Sequence, residues 1–89
     1  MSTRLPDHVS PYKRTPVFST RTVPAALLRD HATKAGVWGL IHVVRGALIL
    51  RDDSGQTRLE PGRPGVIEPE VAHAVEPVGD VSFFVEFWH

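Results

Sequence analysis

The sequence contains no cysteine, one methionine, one tyrosine and two tryptophans, and its charges cancel, 10 Lys+Arg against 10 Asp+Glu. Without cysteine there is no disulfide staple, thiolate zinc site, iron–sulfur cluster or cysteine nucleophile. His, Asp and Glu remain as strong metal ligands, so any metal site must be of N/O type. A formal net charge of zero creates no field to hold a polyanion, and Lys and Arg are scattered rather than drawn into a basic stripe. The aromatics are not interleaved with them as a single-strand stacking groove requires. Nucleic acid is therefore not an expected partner. Apolar runs such as 81–87 stop well short of the ~18 residues of a membrane span, and the opening MSTRLPDHVSPYKRTP holds no apolar stretch of a secretory leader. The expectation is a cytoplasmic protein with no membrane partner. No Ser/His/Asp ordering, phosphate loop or nucleotide fingerprint is visible.

What is present points to β structure. A chain of 89 residues holds one small domain that buries only about 60% of its unfolded surface, so short loops, a metal or self-association must supplement its core. Residues 1–14 carry Leu5-Pro6-Asp7, Ser10-Pro11 and Lys13-Arg14 without apolar periodicity, which predicts an extended N-terminal arm ahead of a 15–89 domain. The arm could still pack on a sheet through Leu5, Val9 and Tyr12. The stretch 23–31 is ambiguous: Ala25-Ala26-Leu27-Leu28 favours helix by propensity, yet it is short and follows Pro24, and a strand is the reading adopted. Val37–Arg45 is rich in β-branched residues, Gly46 predicts a tight turn, and Ala47–Arg51 completes a hairpin. Asp52-Asp53-Ser54-Gly55 predicts a second turn, with both aspartates as turn residues. Further short strands follow at 56–60, 66–68, 73–76 and 81–88. Six to eight such strands, punctuated by Gly and Pro, predict an antiparallel all-β barrel or sandwich.

Two separated segments give this pattern a specific form. Arg29-Asp30-His31-Ala32-Thr33-Lys34 runs on to Val43-Val44-Arg45-Gly46, and Glu60-Pro61-Gly62-Arg63-Pro64-Gly65-Val66-Ile67-Glu68-Pro69-Glu70-Val71-Ala72-His73 follows later. Together they resemble the two half-motifs of a cupin, the small double-stranded β-helix or jelly-roll barrel. With Tyr12-Lys13-Arg14-Thr15-Pro16-Val17-Phe18 and the closing Phe83-Phe84-Val85-Glu86-Phe87, the order of segments over residues 12–88 resembles the tellurite-resistance-related TehB/YeaR-like family of small cupins. The resemblance implies a compact metal-binding barrel in which a histidine from each half-motif converges, associated with stress from tellurite, nitrate or nitrite. The first half-motif departs from most metal cupins: His31 stands alone where they carry His-x-His, and Gly39 occupies roughly the place of their glutamate. Either a carboxylate from elsewhere completes a metal site, or the barrel binds metal weakly or not at all.

The expected ligands are His31, His73 and Glu70. Neutral imidazole suits a divalent transition metal such as Zn, Fe, Ni or Cu, and two histidines with one carboxylate leave open positions for water, O₂ or an anion. Glu70 lies in the loop that delivers His73, and Glu68 is close enough to substitute. Alternation places Glu86 with Phe84 and Trp88, either facing the interior as a base of raised pKa or facing solvent as an ordinary strand side chain. Arg29 and Lys34 flank His31; they are either solvated strand ends or cations for an oxyanion. Alternation turns His42 away from Ile41 and Val43, outside the site. Trp38 and Trp88 are expected in the core or a homodimer interface, and Gly46, Gly62 and Gly65 in turns of positive φ. Two functions compete: a metal centre holding a small molecule or oxyanion, and a metal-free ligand-binding or sensing barrel without catalysis.

Overall fold

A computed structural model describes residues 4–89; the first three residues of the expected N-terminal arm lie outside the described residues. Two strands of 15 residues organise the chain, β3 (Trp38–Asp52) and β6 (Ala74–Trp88). They pair antiparallel along their whole length, from Trp38 opposite Trp88 to Arg51 opposite Ala74. Around them lie β1 (Pro11–Arg14), β2 (Phe18–Ser19), β4 (Gly55–Leu59) and β5 (Gly65–Ile67). The six strands form one antiparallel sheet in the order β1-β6-β3-β4, with β2 also on β6 and β5 also on β3. The protein is thus all-β and antiparallel, apart from one turn of 3₁₀ helix at Ala25–Leu28.

The length of β3 and β6 dictates the shape. Fifteen extended residues span about 50 Å, whereas the longest dimension of the molecule is 34 Å. Both strands must bend, and the pairing register shifts between Val43 and Arg45 and again before Ala47. Gly46 sits at this bend with φ +83°, and a Cβ there would run into the carbonyl oxygen of Asp80. The tight turn expected at Gly46 is therefore a β-bulge within one continuous strand. The local signal is the same in both cases, a residue free of Cβ at positive φ, and only the long pairing with β6 separates bulge from turn. The separate strands expected at 73–76 and 81–88 are likewise one strand, with Gly79 at φ +63° in the corresponding bend.

Curling the sheet places the inward side chains of both halves around one core. Ile41, Val43, Leu48, Leu50, Leu59, Ile67, Val75, Val81, Phe83 and Val85 form this cluster, with Phe83 and Leu48 fully buried. Strict alternation holds over 81–86: Val81, Phe83 and Val85 point in, while Ser82, Phe84 and Glu86 are half-buried on the other face. Gly65 belongs to β5 rather than to a positive-φ turn. A Cβ there would meet the Leu59 methyls at 2.7 and 3.0 Å, so its bareness lets β5 lie against the core.

The strand adopted for 23–31 is corrected: Ala25–Leu28 makes the 3₁₀ turn, Leu27 N–H bonds the Pro24 carbonyl at 3.0 Å, and Leu27 packs against the core. Four apolar residues of good helix propensity, set off by Pro24, close a turn more readily than they enter a sheet whose nearby pairing positions β2 already takes. The last part of the expected arm is β1. It is continued by reciprocal bonds between Ser10 and His89 (3.1 and 3.0 Å), and Val9 is buried. Among the described residues no helix is long and apolar enough to cross a membrane.

Candidate functional site

His31 and His73 lie in neither long strand, yet they pair with each other as an isolated antiparallel bridge. The N–H of each bonds the carbonyl of the other, at 2.9 Å from His31 and 2.7 Å from His73. This bridge joins the two half-motif loops. A third bond, from Glu70 N–H to the Thr33 carbonyl at 3.1 Å, fastens them again. Glu70 takes part through its backbone, which sits at φ +64°, the single non-glycine residue of positive φ among those described. Such a conformation costs about 1–2 kcal/mol.

The bridge places both imidazoles at the wall of a cavity of about 250 Å³ inside the curled sheet, with ring centroids 5.0 Å apart and planes at 68°. Apolar side chains make up most of the remaining wall, among them Phe18, Leu27, Ile41, Ile67, Phe83 and Val85. His73 is 3% exposed and is the buried polar side chain of the core. Its Nδ1 lies 3.2 Å from the Val71 carbonyl. A carbonyl oxygen can only accept, so Nδ1 carries the proton and donates. Burial, with the neighbouring His31 acting in the same direction, pulls the His73 pKa below its ordinary value; the Val71 bond and the charges of Asp52 and Asp30 oppose this. His73 therefore holds a neutral ring of fixed tautomer, with the lone pair on Nε2, which can accept a hydrogen bond or ligate a metal.

The other expected site residues lie elsewhere. Glu70 is exposed, Glu68 is half-buried, and neither borders the cavity. Arg29 and Lys34 are exposed and also absent from its wall. Glu86 is on the outer face of β6, where its Oε1 accepts a hydrogen bond from His42 Nε2 at 2.8 Å. The His42 ring stacks on Phe84, centroids 4.8 Å apart at 23°, and the Arg14 guanidinium covers Phe84 at 4.8 Å. Alternation assigned His42 its face and left that of Glu86 open; their partnership depends on the register that sets His42 opposite Phe84 and Leu40 opposite Glu86. Among the described residues no three His, Cys, Asp or Glu side chains come together as a metal-holding group. The cavity therefore offers a metal two imidazole nitrogens, one fewer than the three protein ligands usual at a catalytic zinc.

Leu27, Thr15 and Phe18, none of them expected at a site from the sequence, close the cavity from the segment ahead of β3. Thr15 is held by Thr15 N–H to Val85 O at 2.9 Å and Val85 N–H to Thr15 Oγ1 at 3.1 Å. Phe18 packs edge-on against Phe83 at 5.7 Å. The threonine and phenylalanine of the 12–18 segment were the available signal.

The structure thus defines a small antiparallel β protein with a histidine pair at the wall of an apolar cavity. Residues 13–85 match the TehB-like domain, and the chain belongs to that family. Its fold is similar to that of a protein from Escherichia coli strain K12, with a TM-score of 0.88 and 23% identity over 97% of this chain and 95% of that one. It is also similar to TehB from Haemophilus influenzae, with a TM-score of 0.83 and 26% identity over 92% of this chain. That match covers 32% of TehB, so the chain spans about a third of its length. A protein from Neisseria meningitidis is more distant, with a TM-score of 0.55 and 14% identity over 96% of this chain and 79% of that one. No curated protein matches the chain.

Proposed function

We propose that this domain is a cupin-type barrel that binds a small, largely apolar molecule, anchored by one hydrogen-bonding end on His31 and His73, without catalysing its conversion. The single observation that carries the reading is the His31–His73 bridge opening onto an apolar cavity. An apolar protein cavity of about 150 Å³ accepts benzene, so about 250 Å³ suits a somewhat larger ring. The apolar wall would supply affinity and the His73 lone pair orientation, the usual division of labour in ligand pockets. No Arg or Lys lines the cavity among the described residues, which favours a neutral molecule over a free oxyanion there. In the tellurite, nitrate or nitrite stress that the family resemblance implies, the domain would act by capturing or sensing such a molecule. Self-association through the outer face of β6, where Phe84 and Trp88 lie half-buried, belongs to the same proposal and is read by sedimentation equilibrium.

A second reading has its own observation. The bond from His73 Nδ1 to a backbone carbonyl is the arrangement that orients metal-ligating histidines. In this reading His31 and His73 would hold a Zn, Fe, Ni or Cu ion that supplies Lewis acidity, and the bound molecule would furnish the remaining ligand.

Amide NMR with phenol and indole, each a ring bearing one donor, tests the first reading. The expected result is saturable shifts at residues 31, 73, 75 and 85 that weaken at least tenfold in His73→Asn. Thermal shifts with zinc, nickel, copper and ferrous salts test the second: stabilisation reversed by EDTA and lost in His31→Ala supports it. Silence of the cavity amides toward both rings, with metal-dependent stabilisation, would replace the first reading by the second; silence in both arms would end both.

A further inference from the structure

The bend that closes the sheet also makes a second concavity, facing solvent. It encloses about 290 Å³ and is lined by Ser19, Thr20, Arg21, Arg45, Asp80 and Ser82. Three strands meet there: Ser82 of β6 pairs with Ser19 of β2 on one side and with Arg45 of β3 on the other. Its floor is tied down. The Thr20 hydroxyl donates to the Gly79 carbonyl and accepts from Val81 N–H, both at 2.9 Å, and Thr20 N–H bonds the Val81 carbonyl at 3.2 Å. Ser19 Oγ accepts from Arg21 N–H at 3.2 Å, which fixes the turn that carries Arg21.

Charge distinguishes this depression from the apolar cavity. Two arginines and one aspartate line it, a local positive excess on a chain whose net charge is zero. Neither arginine forms an ion pair among the described residues; the pairs that do form are Arg4–Asp7, His42–Glu86, Arg51–Glu76 and Arg58–Glu60. Two guanidinium forks beside serine hydroxyls offer a tetrahedral oxyanion several charge-assisted bonds in distinct directions. Arg45 owes its place to the bulge beside Gly46, which turns it outward at the junction.

We propose that Arg21, Arg45 and Ser82 form a binding site for a phosphate-type oxyanion, either free or as the terminal group of a small phosphomonoester. The site is independent of the histidine cavity, and amide NMR separates the two because their residues are different.

The test is a titration of the full chain with inorganic phosphate at constant ionic strength, repeated with methyl phosphate. The expected result is saturable amide shifts at residues 19–21, 45–46 and 80–82, weakened about tenfold by Arg21→Gln or Arg45→Gln and abolished by the double variant. Tighter binding of methyl phosphate than of phosphate assigns the site to an esterified phosphate, equal binding shows that it takes the phosphate group from either source, and preference for phosphate assigns it to the free ion. Both side chains are exposed, so unchanged spectra elsewhere verify that the variants fold. Shifts spread over the whole surface, or an affinity retained in the double variant, would overturn the proposal as an adventitious ion only.

Discussion

The neutral His73 ring makes the stability of the fold depend on pH in a defined window. The unfolded chain takes up a proton at His73 near the ordinary 6.5, whereas the folded chain does so at a lower pH because burial penalises the imidazolium. Above 6.5 both states hold a neutral ring, and His73 adds nothing to the slope. As pH falls below 6.5 the unfolded state binds the proton first, and stability declines until the folded pKa is passed, after which the loss is complete. One proton limits that slope to about 1.4 kcal/mol per pH unit. For a domain of this size, where about 1 kcal/mol moves Tm by 4–8 °C, the limit is about 6–11 °C per pH unit. The assay is thermal unfolding from pH 7.5 to pH 5 in EDTA, with His73→Asn beside the natural protein. Asparagine can keep a donor toward the Val71 carbonyl but does not titrate, and groups shared by the two proteins cancel in the difference. The two Tm curves are expected to run parallel above about 6.5 and to converge below it as the natural protein loses stability faster. Curves parallel throughout would refute the reasoning from burial. Phenol affinity is expected to fall in the pH range where the folded His73 protonates, since Nε2 then has no lone pair to accept with.

Other predictions follow from the geometry. Gly46→Ala should cost about 3–5 kcal/mol, combining left-handed backbone strain with overpacking against the Asp80 carbonyl, whereas Gly36→Ala, also at positive φ but with nothing within 4 Å, should cost only about 1–2 kcal/mol; urea unfolding compares them, and equal losses would contradict the bulge contact. Phe83→Ala, at a fully buried position of the core, should cost about 3–5 kcal/mol in the same assay. A double-mutant cycle on His42 and Glu86 should give a coupling of about 0.5–1 kcal/mol, small because both side chains keep some solvent contact, and it should leave phenol binding unchanged. Glu70→Gly should stabilise the domain by up to about 1 kcal/mol by relieving the left-handed residue while leaving any metal-dependent thermal shift in place; a lost shift would make its carboxylate a ligand after all.

Much of the architecture was legible in local pattern. The alternation of Ile41 and Val43 against His42 settles which side of that strand enters the core; in 81–88 both faces are apolar apart from Glu86, so alternation groups Phe84 with Glu86 without saying which face is inward. The Asp52-Asp53-Ser54-Gly55 turn is likewise written in four residues, with the Asp52 carboxylate accepting from Ser54 N–H at 2.9 Å. The meaning of Gly46 is not local. Its positive φ serves a hairpin turn or a bulge equally well, and the choice rests on whether the following residues pair back on the same strand or onward with β6.

The candidate site divides along the same line. The resemblance of the two half-motifs to a cupin is what singles out His31 and His73, and the absence of cysteine confines their chemistry to nitrogen and oxygen donors. Which carboxylate accompanies them is a question of three-dimensional position. Glu70 is near His73 in the chain, but its left-handed backbone and hydrogen bond to Thr33 leave the side chain exposed, while Glu86, distant in the chain, meets His42 because β3 and β6 pair in one register. Sequence by itself determined the β class and the inward face of 41–43, since these depend on short-range periodicity, while the extent of the long strands did not follow from it. Tertiary structure alone decided that the imidazoles share an apolar cavity, that the carboxylates stay outside it and that the arginines gather at the bend, since cross-strand register and curvature arise only when distant segments pair.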